Sequence, residues 1–235
     1  GDLRYNTAEI HVMLGDITLY AKVGCDGVVI GALDTHGDVD EAVCRALIAA
    51  AGKPGVTFHR AFDAARDRAR ALETIIELGC ERVLTSGGEA NALDGAERIA
   101  GFVKQAGSRL HVMAGAGLDA GNIREVARRS SAREFHGSAR SMRGSLSRHS
   151  NDRLPGLEAD WWQTDAGIVR AMVEALDRDD NPAMARGRRQ SPSEPPSIEM
   201  SYDDISIDRY FDILTSGTYS QASRRGHGVA LRRTV

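Results

Sequence analysis

The stretch Val56-Thr-Phe-His-Arg-Ala-Phe-Asp63 begins as an apolar strand and then sets His59, Arg60 and Asp63 close together at its end. An imidazole, a guanidinium and a carboxylate at one strand terminus are the groups of proton transfer and anion binding. Arg60 and Asp63 could equally form a plain ion pair at a rim. Strand alternation selects the partners. If Val56 and Phe58 face helices, Thr57 and His59 face the other way, and the same parity turns Val83 and Thr85, His111 and Met113, and Glu134, His136 and Ser138 toward one interior. His59, Arg60, Asp63, Glu134 and His136 are therefore the candidate catalytic residues.

Two glycine stretches suggest a second chemistry. Thr85-Ser86-Gly87-Gly88 and Ala114-Gly115-Ala116-Gly117 each follow an apolar run, and the latter leads through Leu118-Asp119 into a helix with Asn122 in its first turn. Such turns at a helix start offer backbone N–H groups to an anion. Thr85, Ser86, Gly115, Gly117 and Asn122 are the expected contacts.

These residues need a scaffold, and from Ala8 to about Asp177 the sequence supplies one by alternating two textures. Short β-branched runs predict strands at Gly27–Leu33, Gly55–Phe62, Arg82–Gly87, Leu110–Gly117 and Ala132–Ala139. Helical spacing predicts helices near Ala8–Val23, Val39–Ala51, Arg66–Leu78, Ala92–Ala106, Ala120–Arg129 and Thr164–Leu176, with Asp38 and Asp119 as N-caps and Gly24, Gly52, Gly79 and Gly107 as C-caps. A repeated βα unit means a parallel sheet with right-handed crossovers. Polar residues end nearly every strand, which favours an α/β TIM (β/α)8 barrel over a doubly wound sheet with one switch point. Five of the eight βα units are visible, so about three more are expected before Gly1.

Three domains of texture follow. Residues 1–177 carry the partial barrel, 178–197 are charged and Pro/Ser-rich and read as a linker, and 198–235 form a tail with a short helix predicted around Asp203–Leu214. A net charge of −3 gives the chain as a whole no footprint for nucleic acid or for an anionic membrane surface. No apolar run approaches the roughly 18 residues that span a bilayer, so a cytoplasmic location is expected. Cys25, Cys44 and Cys80 form no CxxC pair and read as reduced and structural.

The stretches GCDGVVIGALDTHGDVD, VTFHRAFDAARD, ALETIIELGCERVLTSGG, HVMAGAGLDAGNI and EFHGSAR occur in an order and at a spacing that resemble the CutC family, the copper homeostasis proteins. The resemblance covers about Gly1–Ala175. It implies a cytoplasmic TIM barrel involved in copper tolerance, with copper binding in some members. Its motifs map onto His59, Arg60, Asp63, Thr85, Ser86, Gly115, Gly117, Glu134, His136 and Ser138. The chain departs from the family in lacking its first strands and in Gly137, where relatives carry Ser or Cys; the tail matches nothing in the family.

Two functions follow. A copper-handling protein would use soft ligands, here His59, His136 and Met113, although Met113 also reads as a lumen filler. The alternative is an enzyme acting on a small phosphorylated or carboxylated metabolite, with the glycine loop and Ser138 on the anion and His59 or Glu134 moving a proton. The strands Gly27–Leu33 and Ala132–Ala139 would be open edges, inviting pairing into a homo-oligomer.

Overall fold

In this computed structural model, residues 2–149, 151, 153, 160–177 and 229–232 are described. Five parallel strands form a half-barrel: β1 (Gly27–Ile30), β2 (Gly55–Phe58), β3 (Arg82–Thr85), β4 (His111–Gly115) and β5 (Glu134–Gly137). Helices α1 (Thr7–Lys22), α2 (Glu41–Ala51), α3 (Ala61–Ala64), α4 (Arg68–Glu77), α5 (Ala96–Ala106), α6 (Ile123–Ser130) and α7 (Ala166–Asp177) alternate with or follow the strands. A two-stranded antiparallel ribbon, β6 (Arg140–Arg143) with β7 (Trp161–Thr164), lies between β5 and α7. Strand β8 (Val229–Arg232) returns from the tail and pairs antiparallel with β5. The expected β5 edge is thus covered, whereas β1 pairs with β2 alone among the described residues. The helix predicted around Asp203–Leu214 and the 178–197 linker lie outside the described residues.

Local chemistry sets the helix starts. Asn6 and Glu9 form a capping box on α1, the Asn6 side chain accepting from Ala8 and Glu9 amides while Glu9 accepts from the Asn6 amide. Asp40, not the predicted Asp38, caps α2 by accepting from the Val43 amide. Asp38 instead pairs with Arg66 at 2.7 Å, since it sits two residues farther from the helix.

Packing separates the two faces of the sheet. Val28, Ile30, Val56, Phe58, Val83, Val112, Ala114 and Phe135 join the helices in one continuous apolar core. Phe58, Phe62 and Phe135 are wholly buried there, and each such side chain stabilises the fold by about 1.5–3 kcal/mol. The strand register then fixes the lumen face. Thr57 is level with Arg82, Arg82 with His111, Leu84 with Met113, Met113 with Glu134, and Gly115 with His136. Val83 and Thr85 therefore face the helices, contrary to the expected parity, and Arg82 and Leu84 face the lumen. The cause is that Phe58 is level with Val83, so the helix-facing row of β2 continues through Val83.

Candidate functional site

His59 follows the last residue of β2, and its backbone N–H donates to Ile30 O at 2.8 Å, so strand pairing runs one residue past the strand end. The imidazole lies over β1 at Gly31, where an added Cβ would stand 2.5 Å from the ring. Only a residue without a side chain leaves that space. The Ala61 N–H, at the start of α3, donates to His59 Nδ1 at 3.0 Å. Burial of the ring lowers its pKa to about 4. The neutral ring therefore carries its hydrogen on Nε2, because Nδ1 is already an acceptor.

Asp63, within α3, sits at the hub of a network rather than open to a substrate. Its carboxylate accepts from the Ser86 and Gly88 amides, the Thr85 hydroxyl and Arg60 Nε, with the Ser86 hydroxyl, whose one hydrogen is also within reach of Glu89 O at 2.6 Å, beside it. Gly87 and Gly88 both have positive φ, which aims these donors at one point. The Thr85-Ser86-Gly87-Gly88 turn is an anion nest filled by the protein's own carboxylate. Despite burial, these hydrogen bonds hold the Asp63 carboxyl below its ordinary pKa.

Arg60 is clamped by the same network. Its Nε donates to Asp63 at 2.7 Å and its Nη2 to Ser86 Oγ at 2.8 Å, while 43% of the side chain stays exposed. The ion-pair alternative for Arg60 and Asp63 is thus realised, and it fixes the guanidinium with Nη1 left over among the described residues. The charge also reaches His136, whose pKa is lowered to about 4, first by burial and then by Arg60.

The second glycine stretch has a similar end. Asp119 Oδ1 accepts from the Gly121 amide at 2.8 Å and the Asn122 amide at 3.0 Å, and Asn122 Nδ2 donates to Gly117 O at 2.7 Å. The start of α6 is therefore closed by Asp119, and Asn122, expected to contact an anion, braces the loop. Gly115 has another use, because a Cβ there would meet Leu84 Cδ1 at 2.6 Å and His136 Cβ at 3.2 Å. Ser138 lies just past β5, where its carbonyl accepts from Thr164 at 3.4 Å.

Glu134 stands apart from the rim. It opens β5, is buried, and pairs with Arg82 Nε at 2.8 Å, with His111 Nδ1 at 3.9 Å from its other oxygen. Both partners belong to the strand starts, one layer below Glu134 and two below His136. Glu134, a candidate catalytic residue, is thus paired with Arg82 and level with Met113, one layer below His136. Sequence reasoning missed both Arg82 and Gly31. Neither carries a local signal: the parity that turns Arg82 inward depends on the register with Phe58, and Gly31 is explained only by the neighbouring strand.

Among the described residues the rim brings no thiolate to copper(I). His59 Nε2 holds a hydrogen, Met113 is level with Glu134 and not with His136, and the three cysteines are buried elsewhere. Burial pushes the Cys44 thiol up to about 11 and the Cys80 thiol to about 12. Among the described residues no group of three His, Cys, Asp or Glu side chains could hold a metal ion.

The sequence profile of the CutC family matches residues 1–141. The chain belongs to the CutC family. It is 51% identical over 176 residues to the family protein CutC of Xylella fastidiosa strain Temecula1, covering 75% of this chain and 66% of that one. It is 48% identical over 176 residues to the CutC of Xanthomonas campestris pv. campestris strain B100, covering 75% of this chain and 73% of that one. The structure resembles that of a CutC from Streptococcus agalactiae named for copper homeostasis, with a TM-score of 0.54 and 25% identity over 56% of this chain and 65% of that one. This chain thus spans about two thirds of the length of these relatives. No helix among the described residues is long and apolar enough to cross a membrane.

Proposed function

We propose that the C-terminal rim of this half-barrel binds a small anionic metabolite and polarises it for proton transfer. Arg60 holds the anion, His59 donates its Nε2–H to a carbonyl or hydroxyl oxygen, and neutral His136 completes the pocket wall. The observation that carries this reading is the Ala61 N–H on His59 Nδ1, which makes the buried imidazole a hydrogen-bond donor at neutral pH. A neutral imidazole that donates to a developing oxyanion acts as an electrophile without carrying charge itself. The chemistry of the full-length protein is part of this proposal.

The test is a titration of the full chain at pH 7.5 with sodium acetate and with inorganic phosphate, followed by histidine side-chain nitrogen–proton NMR. Saturable movement of the His59 Nε2–H signal by either anion, weakened at least about tenfold in Arg60→Gln, supports the reading. Signals that stay fixed with both anions at tens of millimolar overturn it.

A second reading is direct copper handling, the role in the Streptococcus relative's name. What favours it is that Met113 and His136, a thioether and an imidazole, lie on one lumen face of adjacent strands. Its mark is a fold stabilised by copper(I) under anaerobic conditions, an effect that His136→Ala removes.

A further inference from the structure

The rim presents fewer donors than its glycine-rich loops suggest, and their number narrows the ligand. Barrels that hold a phosphate dianion do so with several backbone N–H groups at a glycine turn or helix start. Two such cradles exist here. In one, the Ser86 and Gly88 amides donate to Asp63; in the other, the Gly121 and Asn122 amides donate to Asp119. Each cradle is already closed by an internal carboxylate.

Among the described residues, what remains beside the lumen is a short donor set. Arg60 offers Nη1, its Nε and Nη2 being held by Asp63 and Ser86, and His59 offers one N–H. The Arg60 charge is balanced by Asp63 beside it, and both histidines are uncharged at pH 7. A dianion would meet Arg60, already paired to a carboxylate at 2.7 Å, while Arg68, the other guanidinium beside the Gly88 turn, is directed to the Asp63 and Ala65 carbonyls. A monoanion with two acceptor oxygens matches the guanidinium edge and the imidazole N–H without surplus charge.

We infer that the anionic group recognised at this rim is a carboxylate and not a phosphate ester, an inference that rests on the proposed anion-binding reading and specifies its substrate class. The internal carboxylates of Asp63 and Asp119 act as selectivity elements, since they occupy the places where phosphate oxygens would bind. Asp63 also repels a second negative charge near Arg60.

Separate acetate and phosphate titrations of the full chain, at matched ionic strength and pH 7.5, decide between the two. Acetate is expected to move the His59 and His136 signals with an apparent affinity at least about tenfold tighter than phosphate, a gap of about 1.4 kcal/mol. Phosphate binding as tightly as acetate, or tighter, overturns the carboxylate inference and leaves the anion site standing. Silence toward both overturns the anion site and the inference with it. The variant Asp119→Ala sharpens the result without touching Arg60 or His59. Freeing the Gly121 and Asn122 amides should raise phosphate affinity several-fold with acetate unchanged, and unchanged phosphate affinity overturns the role given to Asp119.

Discussion

The two ends of the half-barrel handle charge in opposite ways. In the lower layers, the buried Glu134 and the part-buried Arg82 meet on the lumen side at 2.8 Å. At the upper rim, Arg60 is equally well held, yet part of it faces outward beside two uncharged imidazoles. The same strand alternation produces both ends. The difference lies in closure, because the lower pair meets inside the lumen, with Glu81 outside it, while the upper cluster is braced from loops behind it. A braced cluster keeps donors for a ligand, whereas a self-paired one keeps the fold.

The sharpest way to break this comparison is Glu134→Ala. It removes the buried partner of Arg82, whose guanidinium keeps Glu81 at 3.1 Å, and unfolding stability is expected to fall by about 3 kcal/mol, the low end of the range for breaking a buried pair. Urea denaturation followed by circular dichroism measures it. A loss below about 1 kcal/mol would show the lower layer to be hydrated and no different from the rim.

Acid tests the upper end. Both rim histidines have folded-state pKa values of about 4, below the ordinary 6.5, so the unfolded chain binds protons first as pH falls. Stability is therefore full above about pH 6.5 and is lost on the way down to about 4, by roughly 3 kcal/mol in total between pH 7 and pH 5. Burial alone would raise the Asp63 carboxyl, but its hydrogen bonds, Thr85 first, hold it below the ordinary 3.8, so its contribution is lost only under more acidic conditions and does not blur this window. Replacing both histidines with Gln should flatten the profile; a slope that persists would place the titrating groups elsewhere.

The smallest effect belongs to Gly31→Ala. The new methyl would meet the His59 ring, displacing it from the Ala61 amide at a cost of about 1 kcal/mol. Heteronuclear NMR should show the His59 tautomer change and the acetate response vanish, while the Arg82–Glu134 pair stays intact. An unchanged His59 signal would mean that β1 yields instead.

Much of this arrangement was readable in the sequence because β2, β4 and β5 alternate polar and apolar residues clearly. His59 and His136 could be assigned to the lumen from Val56, Phe58 and Phe135 alone. β3 could not be read that way. Val83 and Leu84 are both apolar, as expected for a parallel strand covered on both faces, so its parity depends on the register with Phe58. The glycine turns were legible as anion cradles, but their occupation by Asp63 and Asp119 was not. Asp63 reaches Ser86 only after the β2 and β3 ends are brought side by side, a tertiary fact without a local signal. β8 was missed for a related reason, since its partner β5 is far away along the chain.

The buried cysteines carry a consequence for how this chain would meet copper. Cys44 and Cys80 are protonated thiols in the folded protein, with pKa values of about 11 and 12, and lie within the apolar core. Unfolding exposes them to water and brings them back toward ordinary acidity, so the unfolded chain is the form with the best soft ligands. A metal that prefers the unfolded form shifts the folding equilibrium toward it in proportion to its free concentration. If the rim is an anion site, copper(I) would lower the melting temperature of this protein, and copper stress would be felt as lost folded chain.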